Sequence, residues 1–183
     1  DVGRAALTLA EGVADRGTRR PARQLPAAKT SAEGMTGTEI LEVLNAHVTE
    51  SVVYVNETTT LDLDYLERIA IDRPGRYHFP ASGGLGFGLP VAVGMSIGDP
   101  AKTVVATVGD GSANYGITAL YTAAQRQTRT VFVIVNNAGY GALAGFAQRM
   151  GVPDVPGLTL GGIDFVALAQ GYGVPGSRTT TRE

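Results

Sequence analysis

Two short apolar runs, each stopping at a polar cluster, constrain this chain more than any other feature. Residues 104–108 (Val-Val-Ala-Thr-Val) end at Gly109-Asp110-Gly111, and residues 130–135 (Thr-Val-Phe-Val-Ile-Val) end at Asn136-Asn137. Unbroken runs of β-branched residues of this length belong to strands buried on both faces, which are found in parallel sheets. Between them Ile117, Leu120, Tyr121 and Ala124 fall on one side of a 3.6-residue period, so a helix with that apolar face is expected over 117–125. A strand–helix–strand unit crosses over right-handedly and sets its strands close together. Asp110 and Asn137 would then both stand past strand carboxyl ends, in the crevice where open α/β sheets take ligands.

One carboxylate and one carboxamide oxygen suit magnesium, a hard octahedral ion that takes few protein oxygens and fills its other positions with phosphate and water. Gly109 and Gly111 let backbone approach a bulky anion. A lone Gly-Asp-Gly reads as readily as a helix cap or turn; the asparagine pair at the next strand end favours the ion. The stretch Ser82-Gly83-Gly84-Leu85-Gly86-Phe87-Gly88 precedes an apolar run and looks like a loop entering a helix. Backbone amides at such a place can receive phosphate, although the Gly-x-Gly-x-x-Gly spacing is absent and a close-packed glycine loop explains the composition equally.

The pairing of Gly109-Asp110-Gly111 with Asn136-Asn137 resembles the diphosphate-and-metal motif of thiamine-diphosphate enzymes, specifically the 2-oxo acid decarboxylases. The wording 109–115 and 135–143 is most similar to the benzoylformate decarboxylase branch, with looser likeness over 56–172. The resemblance implies an α/β fold of three layers with a mostly parallel central sheet, thiamine diphosphate and Mg2+ as cofactors, and loss of carbon dioxide from a 2-oxo acid. It implies Asp110, Asn137 and the Gly139 carbonyl as metal ligands. Thr59, Thr60, Gly111 and Ser112 would meet the diphosphate, with Gly83, Tyr115, Tyr140, Gly141, Ala142 and Leu143 completing the cofactor site. Leu85 takes the position of the bulky aliphatic that supports the bent cofactor. Gly139 stands where the decarboxylase wording has threonine, which suggests a looser loop. Phe79 and Phe146 are candidates for an aromatic substrate wall, or else core aromatics. The activating glutamate of such enzymes lies in the pyrimidine-binding domain of a neighbouring subunit, and no segment here matches that domain. A homo-oligomer, dimer or tetramer, is therefore implied, and this chain alone would hold half a site.

The remaining sequence fits an intracellular, cytoplasmic enzyme piece. With 44% hydrophobic residues, 183 positions can bury one core and part of another. A net charge of −2 gives no basic surface for nucleic acid or an anionic membrane, and the absence of cysteine removes thiolate chemistry. Residues 1–14 read as the terminal helix of a preceding domain, or as a disordered tail of helix-forming composition; 15–35 read as a linker, and 36–183 as the cofactor domain. The chain begins and ends in mid-pattern, so a fragment of a three-domain chain is expected. Thr36 and Glu39 fit a capping box, with Ile40, Val43, Leu44 and His47 on the packing face of the helix they start. A strand over 52–55, a helix over 63–69 and a helix from Asp164 through Gln170 follow, and 178–183 look like the start of another. Neither His47 nor His78 suggests chemistry, and Glu57 reads as a loop carboxylate beside the cofactor. Two alternatives stand: a carboligase related to acetolactate synthase, and a non-catalytic nucleotide- or metal-binding module or half of a split enzyme.

Overall fold

A computed structural model describes residues 27–28, 31, 34–152 and 154–181. The expected helix over 1–14 lies outside them, as does most of the 15–35 linker. Helix α1 (Gly37–Ala46) starts at the capping box: Thr36 accepts from the Glu39 amide while Glu39 reaches back to the Thr36 amide. There follow β1 (Val52–Glu57), a single 3-10 turn (Thr59–Leu61), α2 (Asp62–Arg68), β2 (Tyr77–His78) and α3 (Gly88–Gly98). After β3 (Thr103–Gly109) the crossover holds two helices, α4 (Asp110–Gly116) and α5 (Ala119–Arg126), before β4 (Thr130–Val135). Helices α6 (Gly141–Arg149) and α7 (Phe165–Gly171) complete the set, α7 capped as expected by Asp164.

The four strands form one sheet in the order β2-β1-β3-β4, and every pairing is parallel. Period-two alternation divides the strands between two cores. Val55, Val104, Ala106 and Val108 face α3, with Leu89 and Ala92, and the start of the crossover, with Ala113. Val52, Tyr54 and Val105 face Leu41 of α1 and Tyr65 of α2. Helices cover both faces, which gives the three layers. The same alternation turns the last two residues of β1 opposite ways, Asn56 toward α2 and Glu57 toward α3.

Several local expectations need correction. On α1 the inward residue is Leu41, with Leu44 and Val48 beside it; His47 is exposed, its Nδ1 2.8 Å from the Val43 carbonyl. The crossover is not one helix, because Gly116 ends α4 under Pro90, where a Cβ would lie 3.0 Å from Pro90 Cδ. Restarting at Ala119 rephases α5, so Leu120 and Ala123 point inward and Tyr121 is exposed. Residues 174–181 form no helix. Among the described residues no helix is long and apolar enough to cross a membrane.

Asn56, fully buried, uses its whole hydrogen-bonding capacity. Its Oδ1 accepts from the Thr58 amide (3.0 Å) and hydroxyl (2.7 Å), while Nδ2 donates to Asp62 (3.0 Å) and the Tyr77 hydroxyl (3.1 Å). Burial holds the Asp62 carboxyl above its usual range, and the Asn56 donor opposes that rise. Asn56→Ala strands two buried and two half-buried polar groups and is expected to lower stability by about 2–4 kcal/mol. Urea unfolding monitors this as a fall in midpoint at constant slope; a change below ~1 kcal/mol would show that the network holds nothing in place.

Candidate functional site

The carboxyl ends of β1, β3 and β4 bring residues 58–60, 110–112 and 136–141 to one edge of the sheet, with Glu57 opposite Val108 and Gly109 opposite Val135. Asp110 is the first residue of α4 and is 2% exposed. Its Oδ1 accepts the Gly111 amide at 2.9 Å and its Oδ2 the Gly139 amide at 3.0 Å. Asn137 Oδ1 accepts that same Gly139 amide at 3.2 Å. A carboxylate and a carboxamide from different strands thus converge on one backbone residue, although Asn137 itself is exposed.

The loop that makes this possible is pinned rather than loose. Asn136 Oδ1 accepts the Ala138 amide at 3.0 Å, and Ala138 takes the left-handed conformation (φ 58°). Gly139 forms an antiparallel bridge with Thr159; Tyr140 donates to the Leu158 carbonyl and Leu160 to the Ala138 carbonyl. A Cβ on Gly139 would meet the Leu158 carbonyl oxygen at 2.6 Å, so this strap occupies the space a threonine side chain would need. The strap lies in a stretch rich in proline and glycine, 153–162, whose sequence carries no strand signature.

Around this pair the other expected residues fall into two groups. Tyr140 lies over Gly111, where a Cβ would be 2.7 Å from its ring, and Thr60 and Asn137 flank Gly141 in the same way. A hydrogen bond with the Tyr115 hydroxyl, helped by partial burial and the nearby Asp110 carboxylate, holds the Tyr140 phenol above its usual range. Thr59 and Thr60 are exposed on the 3-10 turn, and Thr59 has φ 40°. A β-branched residue in that region stores strain, a pattern concentrated at ligand sites. Ser112 is buried with its hydroxyl directed to Glu57, which leaves its amide rather than its hydroxyl for a ligand. In the second group, Leu85 is half-buried and Gly83, Ala142 and Leu143 are exposed. Phe79 and Phe146 are 39% and 56% exposed, so neither is a core aromatic. Among the described residues no hydrogen bond joins Leu85, Phe79 or Phe146 to Asp110 or Asn137.

Donor chemistry decides whether a divalent cation suits this place. Each Asp110 oxygen accepts one amide and keeps a second lone-pair direction, and among the described residues no Lys or Arg pairs with it. Those residues contain no cluster of three or more His, Cys, Asp or Glu, which argues against zinc or a multi-carboxylate calcium cage. One carboxylate, one carboxamide and a backbone carbonyl fit a magnesium ion shared with phosphate oxygens.

Glu57, read from sequence as a loop carboxylate, instead ends a strand and is 1% exposed. It accepts the Gly86 amide at 2.5 Å and the Gly88 amide, with the Phe87 amide and the Ser112 hydroxyl close by. Burial raises its carboxyl above the ordinary range, and these donors work against the rise. The available signal was an Asn-Glu pair closing an apolar run.

Residues 59–183 match the family described as thiamine pyrophosphate enzyme, C-terminal TPP binding domain. The chain is 44% identical over 189 residues to a benzoylformate decarboxylase of Pseudomonas aeruginosa, covering 100% of this chain and 35% of that protein. Identity to an acetolactate synthase large subunit of Cyanidium caldarium is 34% over 104 residues, 54% of this chain and 17% of that protein. Among solved structures, a thiamine diphosphate-dependent 4-hydroxybenzoylformate decarboxylase of Rhodococcus jostii RHA1 superposes with a TM-score of 0.85 at 42% identity, covering 92% of this chain and 32% of that one. The chain spans about a third of the length of the decarboxylases it matches.

Proposed function

Because the chain belongs to the thiamine pyrophosphate enzymes and carries their C-terminal TPP binding domain, we propose that it supplies the diphosphate-and-metal half of the active site of a decarboxylase acting on an aromatic 2-oxo acid such as benzoylformate. The observation that carries this reading is the convergence of Asp110 and Asn137 on Gly139 at adjacent strand ends. Asp110, Asn137 and the Gly139 carbonyl would hold Mg2+, and Thr59, Thr60, Gly111 and Ser112 would meet the diphosphate. Thiamine diphosphate bound there supplies the electron sink for loss of carbon dioxide. The protein's own work is to anchor the diphosphate, to support the bent cofactor with Leu85 within a site completed by Gly83, Tyr115, Tyr140, Gly141, Ala142 and Leu143, and to keep water from the reacting carbon. Phe79 and Phe146, free of the core, would face the aromatic ring of the substrate. The domain runs over 36–183 in a cytoplasmic homo-oligomer, dimer or tetramer, whose neighbouring subunit contributes the pyrimidine-binding domain. The carboligase reading is weaker, since identity to acetolactate synthase large subunits is 31–36%, over half to nearly all of the chain, against 44% to the benzoylformate decarboxylase.

The holoenzyme, given thiamine diphosphate and magnesium, is expected to turn over benzoylformate on the order of 1 s⁻¹ or faster and to lose this activity when magnesium is chelated. Residues 1–183 alone are expected to bind the cofactor weakly and show no turnover. Preference for pyruvate with formation of acetolactate would overturn the substrate assignment. Turnover by residues 1–183 would show that the activating group lies within this chain, with Glu57 the first residue to replace.

A further inference from the structure

The Glu57 carboxylate is buried, forms no ion pair with a described residue, and spends its oxygens on the backbone of a loop 29 to 31 positions away. Helix α3 starts at Gly88, and its N-cap, Phe87, contributes no side-chain cap. The Glu57 carboxylate does that work from a strand: it accepts the first amide of an 11-residue helix, Gly88, and the Gly86 amide just before the N-cap, where the helix dipole favours an anion. Space for the arrangement is made by glycine. A Cβ on Gly88 would lie 2.8 Å from Glu57 Oε2 and equally close to Val108, and Gly86, at φ 94°, would place one 2.9 Å from Tyr115 Cβ. In the sheet Glu57 stands opposite Val108, two residues before Asp110, and the Ser112 hydroxyl of α4 lies beside its carboxylate. One side chain therefore ties the loop carrying Leu85 to the strand end carrying Asp110.

We propose that Glu57 is a positioning residue that fixes Leu85 relative to the Asp110 anchor by clamping the Gly86 and Gly88 amides. The proposal rests on the functional reading above for the task of Leu85, but the clamp itself is read without cofactor. Glu57→Gln keeps the shape, removes one acceptor oxygen and turns an N–H toward an amide; Glu57→Asp keeps the charge and shortens the reach.

The experiment measures amide exchange of residues 86–88 in the apo-protein, then kcat and thiamine diphosphate affinity in the holoenzyme, for both variants and for Glu57→Gln combined with Leu85→Ala. Protection at 86–88 is expected to fall by about tenfold or more, the scale of one lost charge-assisted bond, while β3 and β4 stay protected. Turnover should drop by about a hundredfold, the scale of a 1 Å misplacement, with cofactor affinity within about threefold of wild type. The double variant should be no slower than the slower single variant, because both remove one contact. Unchanged exchange at 86–88, or losses that multiply in the double variant, would overturn the proposal. If Glu57→Gln fails to fold, Glu57→Asp decides by the same measurements. A wild-type protein that does not bind thiamine diphosphate sinks the functional reading instead, and the exchange measurement still decides the clamp.

Discussion

Asp110→Ala is expected to abolish magnesium-dependent binding of thiamine diphosphate, lowering affinity by at least about a hundredfold, since losing even an outer-shell partner of a metal ligand costs 10–100-fold. The carboxylate is the only anionic donor among the three proposed ligands, and the others, a carboxamide and a backbone carbonyl, are neutral. Its removal also frees the Gly111 amide and leaves the Gly139 amide to the longer bond with Asn137 alone. The loop that presents Asn137 would therefore loosen as the charge disappears. Asp110→Asn separates the two effects, because it retains the shape and an oxygen for one amide but not the charge. Titration calorimetry with and without magnesium measures both variants, and circular dichroism checks that the sheet persists. Binding that survives either substitution unchanged removes the metal assignment.

Leu85→Ala is expected to behave differently. Leu85 stands on the glycine loop and is none of the residues proposed to hold Mg2+ or the diphosphate, so the anchor is left intact and cofactor affinity should change by less than about threefold. Turnover should fall by about a hundredfold, because support for the reactive geometry is lost while binding is retained. Steady-state kinetics at saturating cofactor, set beside a direct binding isotherm, give the split. Normal turnover, or failure to bind cofactor at all, would mean that the side chain only packs the loop.

How much of this could be read from sequence follows from the range of each interaction. Strands β3 and β4 announce themselves because they are buried on both faces, and Asp110 and Asn137 stand out because each breaks such a run. The resemblance extended that reading to the family and cofactor. Glu57 was misjudged because its partners are backbone amides some 30 residues on, and amides have no signature in sequence. The strap 158–160 escaped for the same reason, since its bonds run from main chain to main chain. Tyr121 shares a 3.6-residue period with Ile117, Leu120 and Ala124, yet the residues of α5 that meet the core are Leu120 and Ala123, which leaves the Tyr121 ring outside.

Strand β4 bears on how the protein behaves outside the cell. It is the last strand of the sheet, paired on one side only among the described residues. Its sequence, Thr130-Val131-Phe132-Val133-Ile134-Val135, has no charge and no proline, and Val131 is 49% exposed. Such a margin is a template for another strand, and six residues that are each apolar or β-branched, flanked by a charge only at Arg129, are the composition of fibril-forming segments. Residues 1–183 expressed by themselves therefore carry an adhesive edge that recruits further copies of itself. Preparations of this piece will tend to self-associate with rising concentration, and Val131→Lys, at a half-exposed position outside both core clusters, is the substitution that keeps it dispersed without touching the cofactor.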